Sequence, residues 1–185
     1  MSGDFQGILA RAEELHSAGD VAAALDRMAE AVRRDLEGRD PLVLAVMLGG
    51  MLPATWLLQR LEFAHQLDYV HATRYRGGTR GGPALDWRAR PRADLTDRHV
   101  LVVDDILDEG PTLAAILEAC HADGAASVRS AVLVRKRHDR CVPGLAPDYV
   151  GLEVDDRYVF GCGMDYRERF RQLPAIYALA PEDEA

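Results

Sequence analysis

One stretch in the middle of the chain restricts its fold more than any other. The apolar run 100–103 is followed by a turn that contains Asp104, Asp105 and Asp108, and an apolar helical pattern begins after Pro111. This order predicts a buried strand, a tight acidic turn and the start of a helix. In an open α/β sheet, ligands bind outside the carboxyl ends of the strands, so the turn is the expected binding position.

The chemistry of this turn favours a ligand that carries both a phosphate and hydroxyl groups. The free N–H groups and the positive dipole end of a helix N-terminus suit a phosphate. The adjacent carboxylates suit sugar hydroxyls or a metal-bound ligand. The sequence contains no Walker motif, and Gly161-Cys162-Gly163 lacks the third glycine of the dinucleotide fingerprint. The alternative is an acidic turn that only caps a helix.

The chain from residue 41 onward alternates between strand-like and helical patterns. We expect strands at 42–47, 66–73, 100–103, 127–135, 149–151, 158–161 and 175–179, and helices at 53–61 and 111–123. Residues 76–93 are rich in Gly, Arg and Pro, which is typical of a mobile loop with room for a short hairpin. The alternation predicts a mostly parallel α/β sheet with helices on both faces.

The first part of the chain has a different pattern. Residues 4–38 predict two helices with apolar stripes, separated at Gly19-Asp20, and Asp20 is the expected N-cap of the second helix. We therefore divide the chain into a helical segment, 1–40, that packs on the core or on a subunit partner, and a domain that comprises 41–185.

Composition and charge weigh against several classes of function. A chain of 185 residues fits one domain around one core. The net charge of −8 and the lack of a long basic stripe weigh against nucleic acid as a main partner. No apolar run approaches the ~20 residues that cross a bilayer, so no membrane partner is expected. Cys120, Cys141 and Cys162 are widely spaced, which indicates free thiols in a reducing cytoplasm.

Residues 100–113 resemble the 5-phosphoribosyl-1-pyrophosphate (PRPP) binding signature of type I phosphoribosyltransferases. Three further stretches, 46–50, 68–75 and 156–171, are similar to the 6-oxopurine branch, the hypoxanthine-guanine phosphoribosyltransferases. The four motifs stand in the family's order. The resemblance implies a five-stranded, mostly parallel core with a small C-terminal hood. It also implies Mg2+-dependent transfer of 5-phosphoribosyl from PRPP to N9 of hypoxanthine or guanine, which gives IMP or GMP and pyrophosphate.

The resemblance assigns the acidic turn to PRPP. Asp104 and Asp105 would bind the ribose hydroxyls and Mg2+, and Asp108 would be the general base near N7 of the purine. A carboxylate is a weak base at neutral pH, and the acidic residues around Asp108 are expected to raise its pKa. The 5-phosphate would lie on Glu109, Gly110, Pro111 and Thr112, and the pyrophosphate on Leu48, Gly49, Gly50 and Arg171.

The resemblance assigns the purine to residues further along the chain. Lys136 would donate to O6, Tyr158 would stack on the ring, and Val159 would offer backbone hydrogen bonds. Asp165 would lie near the exocyclic group and a second Mg2+.

Arg74 and Tyr75 would begin a lid over the site, to which Arg76, Arg80 and Arg88 could add positive charge.

The sequence departs from the family's usual pattern at several of the positions that the resemblance assigns. Glu109 stands where the family usually has Thr, and Pro111 removes one N–H donor. Leu48 stands where a Lys or Arg is common, and Arg74 where a Ser is usual. We hypothesise that Arg74 compensates for the charge missing at Leu48. The family's loop often has a cis peptide bond, which would fall between Met47 and Leu48.

Two alternatives to a hypoxanthine or guanine enzyme stay open at this point. One is a xanthine-preferring transferase with the same chemistry. The other is a PRPP-sensing regulator that binds nucleic acid and has no turnover. Since oligomers are usual in the family, the resemblance also implies a homodimer or homotetramer.

Overall fold

Two sheets organise the part of the chain that the computed structural model describes, which is residues 5–74 and 85–184 without the side chains of Arg74 and Leu85. In chain order the elements are α1 (Phe5–Arg11), β1 (Glu13–His16), α2 (Ala18–Leu36), β2 (Leu42–Val46), α3 (Met51–Leu58), β3 (Gln66–Arg74), β4 (Leu85–Ala89), β5 (His99–Leu107), α4 (Pro111–Ala122), β6 (Ser127–Arg137), β7 (Tyr149–Asp155), β8 (Val159–Phe160) and β9 (Ile176–Ala178), followed by a 3₁₀ turn (Pro181–Asp183).

The larger sheet has the strand order β4-β3-β2-β5-β6-β7. Its five strands from β3 to β7 in this order are parallel, and β4 is an antiparallel edge strand on β3. The predicted parallel α/β architecture is therefore confirmed, with one edge strand more than expected. This strand falls within 76–93, where the sequence allowed a hairpin.

Helices cover both faces of the larger sheet, as predicted. Every residue of β2 is buried, and successive residues alternate between two apolar clusters. One cluster packs against α2 and α3, and the other packs against α4. Burial on both faces explains why β2 consists only of apolar residues.

Strand β5 extends further than the sequence indicated. The prediction that it ends at residue 103 is wrong, because its parallel pairing with β6 continues through Asp104↔Val132 and Ile106↔Val134. The apolar residues beyond the acidic pair supply the reason, since Leu107 is buried in the cluster under α4. Asp104 and Asp105 therefore lie within the end of a strand and not in a free turn.

The smaller sheet has the order β1-β9-β8 and joins the two ends of the described chain. The prediction of helix at 13–16 is wrong, because these residues form β1 and pair with β9 through Glu13↔Ala178. Ile8 of α1 packs with Phe160, Tyr166 and Leu179 beside this sheet. Thus α1 and β1 join the small sheet, whereas α2 packs on the larger one, and the division of the chain after residue 40 stays a prediction.

The second helix also begins earlier than predicted. Ser17 is its N-cap, and the Ser17 Oγ accepts a hydrogen bond from the Asp20 N–H at 3.2 Å. Asp20 returns a hydrogen bond as the third helical residue, because its carboxylate accepts from the Ser17 N–H at 2.9 Å. This is a capping box, in which the two side chains satisfy two backbone N–H groups at the start of the helix.

The described helices include none that combines the length and the apolar character needed to cross a membrane.

Candidate active site

Two adjoining cavities lie at the carboxyl end of β5. The first, which we call the cradle cavity, has about 260 Å³ and is lined by Gly49, Asp104, Asp105, Asp108 and residues 109–113, among others. The second, the aromatic cavity, has about 200 Å³ and is lined by Asp105, Asp108, Lys136, Tyr158, Val159 and Asp165 with Ile106 and Met164. Asp105 and Asp108 line both cavities. The fold thus brings together residues from distant parts of the sequence that were predicted to share one site.

Asp104 and Asp105 form an acidic pair in which Asp105 is buried and Asp104 is partly buried. Asp105 is 9% exposed, and burial raises its pKa. Burial and the neighbouring Asp105 charge raise the pKa of Asp104 well above its usual range. Their nearest donors are backbone groups, since the Asp105 N–H donates to Asp104 Oδ1 at 2.9 Å and the Ile106 N–H donates to Asp105 Oδ1 at 2.7 Å.

The acidic pair fits a divalent cation. Among the described residues, no Lys or Arg forms an ion pair with either carboxylate. Two adjacent carboxylates that are largely withdrawn from water and have no ion-pair partner are costly to charge, and their oxygens are the ligands that Mg2+ prefers. Asp165 fits less well, because its Oδ1 accepts from Arg171 Nη2 at 2.5 Å and its Oδ2 accepts from the Glu168 N–H at 2.7 Å.

The loop after β2 lies close to the acidic pair at a glycine, where the loop carries no side chain. A Cβ atom at Gly49 would overlap the Asp105 carboxylate, so only glycine fits this position. The Gly50 N–H donates to the Val46 carbonyl at 2.8 Å, which folds the loop back on its strand. The Met47–Leu48 peptide bond is cis, as the resemblance implied, and Leu48 is 54% exposed.

The N-terminus of α4 forms the floor of the cradle cavity. Gly110 is the N-cap with a φ of +85°, a conformation that favours glycine. Pro111 has no N–H, and the Ala114 N–H already donates to the Gly110 carbonyl at 2.9 Å. The N–H groups of Thr112 and Leu113 therefore have no helical acceptor and are open to an anion.

Glu109 directs its negative charge toward a cation on the neighbouring loop. Its Oε1 lies 3.9 Å from Arg140 Nε. This arrangement reduces the conflict between Glu109 and a phosphate in the cradle cavity, which the sequence raised as a departure from the family.

Asp108 differs from the acidic pair because two side chains bind it, one from the last residues of β6 and one directly after that strand. Lys136 Nζ donates to its Oδ2 at 2.8 Å, and its Oδ1 lies 2.7 Å from His138 Nε2. Burial alone would raise the pKa of Asp108, but the hydrogen bonds from Lys136 and His138 outweigh burial and lower it. The expectation that nearby acidic residues raise this pKa is therefore wrong.

Sequence reasoning missed His138. Its side chain is 4% exposed, and the Arg140 N–H donates to its Nδ1 at 3.2 Å. An Nδ1 that accepts carries no proton, so the ring proton lies on Nε2 and is donated to Asp108. The Arg140 guanidinium in turn makes a bidentate contact of 2.8 and 2.9 Å with Asp156.

Asp108, His138 and Asp156 place ligand-type atoms within 4.8 Å of one another, but they do not fit a metal. The Nε2 atom of His138 carries the proton that Asp108 accepts, and Asp156 is held by Arg140. A metal ion there would need a deprotonated Nε2 and would lie beside two cationic side chains, Lys136 and Arg140.

The wall of the aromatic cavity is formed by the segment around β8. Tyr158 is 44% exposed, and its hydroxyl donates to the Asp165 carbonyl at 3.0 Å. Its ring packs edge-on against Tyr166 at 5.9 Å. Arg171 donates through Nη2 to Asp165 and through Nη1 to the Gly163 carbonyl, which uses two of its five N–H donors.

The predicted lid falls largely outside the described residues. Tyr75, Arg76 and Arg80 lie outside them, and only the backbone of Arg74 is described, where it pairs with Leu85. Arg88 lies on the edge strand β4 with an exposed side chain.

Comparison with known proteins agrees with this geometry. The family model of the phosphoribosyl transferase domain matches residues 11–168. The chain therefore belongs to the phosphoribosyltransferase family. A relative from Lactococcus lactis subsp. lactis, a hypoxanthine-guanine phosphoribosyltransferase, is 30% identical over 155 residues, which cover 84% of each protein. This match confirms the predicted resemblance to the hypoxanthine-guanine branch.

Two further comparisons concern the extent of the chain and its fold. The bifunctional protein TilS/HprT of Listeria innocua is 32% identical over 182 residues, which cover 98% of this chain but 27% of that protein. The chain thus spans about a quarter of the length of this relative. A crystal structure of a hypoxanthine phosphoribosyltransferase from Staphylococcus aureus matches with a TM-score of 0.90 over 100% of both chains at 24% identity, which shows the same fold.

Proposed function

We propose that the chain transfers 5-phosphoribosyl from PRPP to N9 of hypoxanthine or guanine, giving IMP or GMP and pyrophosphate, in purine salvage. The observation that carries this proposal is the pair of adjoining cavities that share Asp105 and Asp108. One cavity offers a helix N-terminus and acidic side chains, which suit a sugar phosphate. The other offers a tyrosine ring and a lysine, which suit a purine with an oxygen acceptor.

PRPP would occupy the cradle cavity. The Thr112 and Leu113 N–H groups would receive the 5-phosphate, and Asp104 and Asp105 would bind the ribose hydroxyls. The Gly49 loop would lie beside the pyrophosphate. The positions of the donors and acceptors around this cavity support these roles.

Mg2+ is proposed as the cofactor, and Asp104 and Asp105 would hold it. When bound, it would add positive charge beside the pyrophosphate leaving group. Asp165 would contribute only after Arg171 or the Glu168 N–H releases its carboxylate.

Purine binding would change the partners of Asp108. Lys136 donates to Asp108, and a purine O6 would draw Lys136 away as its acceptor. Asp108 would then lose one cationic donor, and its pKa would rise. As N9 bonds to C1 and the C1–O bond to pyrophosphate breaks, the N7 proton would pass to Asp108.

The direct test is an assay with PRPP and Mg2+ across adenine, hypoxanthine, guanine and xanthine. We expect turnover of hypoxanthine or guanine and rejection of adenine, whose 6-amino group offers Lys136 a donor where it needs an acceptor. Efficient adenine turnover would contradict the purine assignment. PRPP binding without turnover of any base would favour the regulator, and a preference for xanthine would favour the alternative enzyme.

A homodimer or homotetramer is proposed as the assembly. Met51, Leu67 and Tyr69 are exposed apolar side chains that line one cavity of about 370 Å³. Exposed apolar clusters of this kind commonly mark subunit contacts. Sedimentation of the purified chain tests the proposed assembly, and a monomer at micromolar concentration would contradict it.

A cytoplasmic location is proposed as well, supported by the three free cysteines.

A further inference from the structure

We infer that His138 is a positioning residue that holds Oδ1 of Asp108 while Lys136 moves to the purine, so that Oδ2 remains aimed at the N7 proton. This inference rests on the proposed function, because it concerns the base of that reaction. It assigns different tasks to the two donors that now bind Asp108. Lys136 would be the donor that leaves, and His138 would be the donor that stays.

The surroundings of the imidazole support a fixed role. The His138 side chain is 4% exposed, whereas that of Asp108 is 43% exposed. The Arg140 N–H binds Nδ1 and thereby fixes the Nε2–H tautomer. The bidentate contact between Arg140 and Asp156 fixes Arg140 itself.

The position of Lys136 supports the opposite role for that residue. It lines the aromatic cavity and lies within reach of both Asp108 and a bound base. An ammonium group on a flexible four-carbon stem changes partners readily. Without a second donor, the half-exposed Asp108 carboxylate would be free to rotate once Lys136 leaves.

The number of donors on Asp108 also matters. The titratable and charged groups that face Asp108 are Lys136 at the end of β6 and His138 directly after it, with Arg140, Asp156 and Glu109 beyond them. Of these, only Lys136 and His138 donate to Asp108 among the described residues. Departure of Lys136 therefore leaves one hydrogen bond on Oδ1, from His138, and an open Oδ2.

Two amide substitutions of different length test this inference. His138→Gln carries a donor at the distance of Nε2 and can still reach Asp108, whereas His138→Asn carries an amide only at the position of Nδ1. Both remain polar and of similar size, so they are a matched pair. The exposed His121 on α4 provides a control in His121→Asn.

We expect His138→Asn to lower kcat for hypoxanthine about 10-fold, the size of one hydrogen bond to a charged group, with KM for PRPP unchanged. Its acid limb in the pH profile of kcat should move to higher pH, because a carboxylate that loses a donor protonates more easily. His138→Gln should retain most of the natural rate and the natural acid limb. In an Asp108→Asn background, neither substitution should lower kcat further.

Equal rates and equal acid limbs for the Gln and Asn variants would overturn the inference, as would an Asn effect that persists without Asp108. If His138→Asn does not fold, the Gln variant alone must retain the natural acid limb, and a shifted limb would overturn the inference. Failure of the proposed function would be distinguishable, because the natural chain itself would then turn over neither hypoxanthine nor guanine.

Discussion

Only two residues separate the acidic pair from Asp108 in the chain, yet the two have opposite electrostatic environments. Burial raises the pKa values of Asp104 and Asp105, and among the described residues no Lys or Arg forms an ion pair with either, although the charge of Arg171 partly offsets the effect on Asp105. Asp108 is also partly buried, but hydrogen bonds from Lys136 and His138 lower its pKa. The difference arises from β6, whose end reaches Asp108 and not the pair.

The acidic pair and Asp108 are therefore suited to different chemical roles, although both lie at the carboxyl end of β5. A carboxyl pair that is costly to charge gains from a bound cation or from sugar hydroxyls. A carboxylate that two donors already stabilise is a poor base until one donor leaves. The four predictions below test whether the two environments are distinct, from the largest expected effect to the smallest.

The largest effect should come from Asp108→Asn. The amide keeps the shape of the side chain but cannot accept a proton, so kcat should fall ~10²-fold or more. PRPP binding should change little, because the acidic pair remains. Steady-state kinetics with a separate PRPP titration measures both quantities. A variant with unchanged kcat would remove the assignment of Asp108 as the base.

Lys136→Ala should have the next largest effect, and it should separate base binding from PRPP binding. Loss of the O6 donor should raise KM for the base about 10-fold, with a much smaller change for PRPP. The acid limb of kcat/KM should move to higher pH, because the free enzyme loses a donor that lowers the pKa of Asp108. Equal increases in both KM values would argue against a specific contact with the purine.

Arg74→Ser and Leu48→Lys should have smaller effects, since they change the charge near pyrophosphate and leave both carboxylate groups intact. Arg74→Ser should weaken pyrophosphate binding several-fold, and Leu48→Lys in that background should partly restore it. A double-mutant cycle on the pyrophosphate dissociation constant measures the coupling. Strictly additive effects would show that the two positions do not share a task.

The smallest effect concerns thermal stability. The change in Tm on Asp→Asn substitution should have one sign at the acidic pair and the opposite sign at Asp108. A carboxyl with a raised pKa binds more protons in the folded chain, so its contribution to stability falls as pH rises through that window. Asp104→Asn should therefore raise Tm at pH 7 by roughly 2–4 °C in EDTA, the shift that ~1 kcal/mol produces in a chain of this size. Mg2+ should stabilise the natural chain more than this variant.

Asp108 should behave in the opposite way. Its lowered pKa means that its contribution is present above the unfolded value of ~3.9 and is lost as pH falls through the folded value. Asp108→Asn should therefore leave Tm at pH 7 unchanged or lower it slightly. Thermal unfolding of both variants between pH 4 and pH 8 measures the contrast. A rise in Tm for both variants would show that the two environments are alike.

The sequence predicts the centre of the larger sheet well, because β2 and residues 100–103 of β5 are buried and therefore form continuous apolar runs. The sequence-based prediction is wrong at 13–16, where Glu13 and Glu14 form a strand only because β9 lies beside them. No local pattern can reveal a partner more than 150 residues away along the chain. The early end assigned to β5 has a related cause, since two carboxylates interrupt the apolar run although backbone pairing continues.

The candidate site was predictable where a contiguous motif carries it, as in 104–112. His138 was missed because it follows β6 and acts on a residue from another strand. A weak signal was present, since Lys136 and His138 are two residues apart, and alternate residues of a strand face the same side. The lowered pKa of Asp108 could not be predicted, because it depends on contacts that only the fold creates.

The position of β9 between β1 and β8 has a consequence for how the molecule is built during synthesis. Strands β2 to β7 can pair as soon as β7 has left the ribosome, but β1 must wait for β9, which follows it by more than 150 residues. The aromatic cavity depends on β8 and the segment after it, so this wall is completed last. A nascent chain that stops before β9 would have the cradle but an unfinished place for the base, with an early strand edge left exposed to other chains.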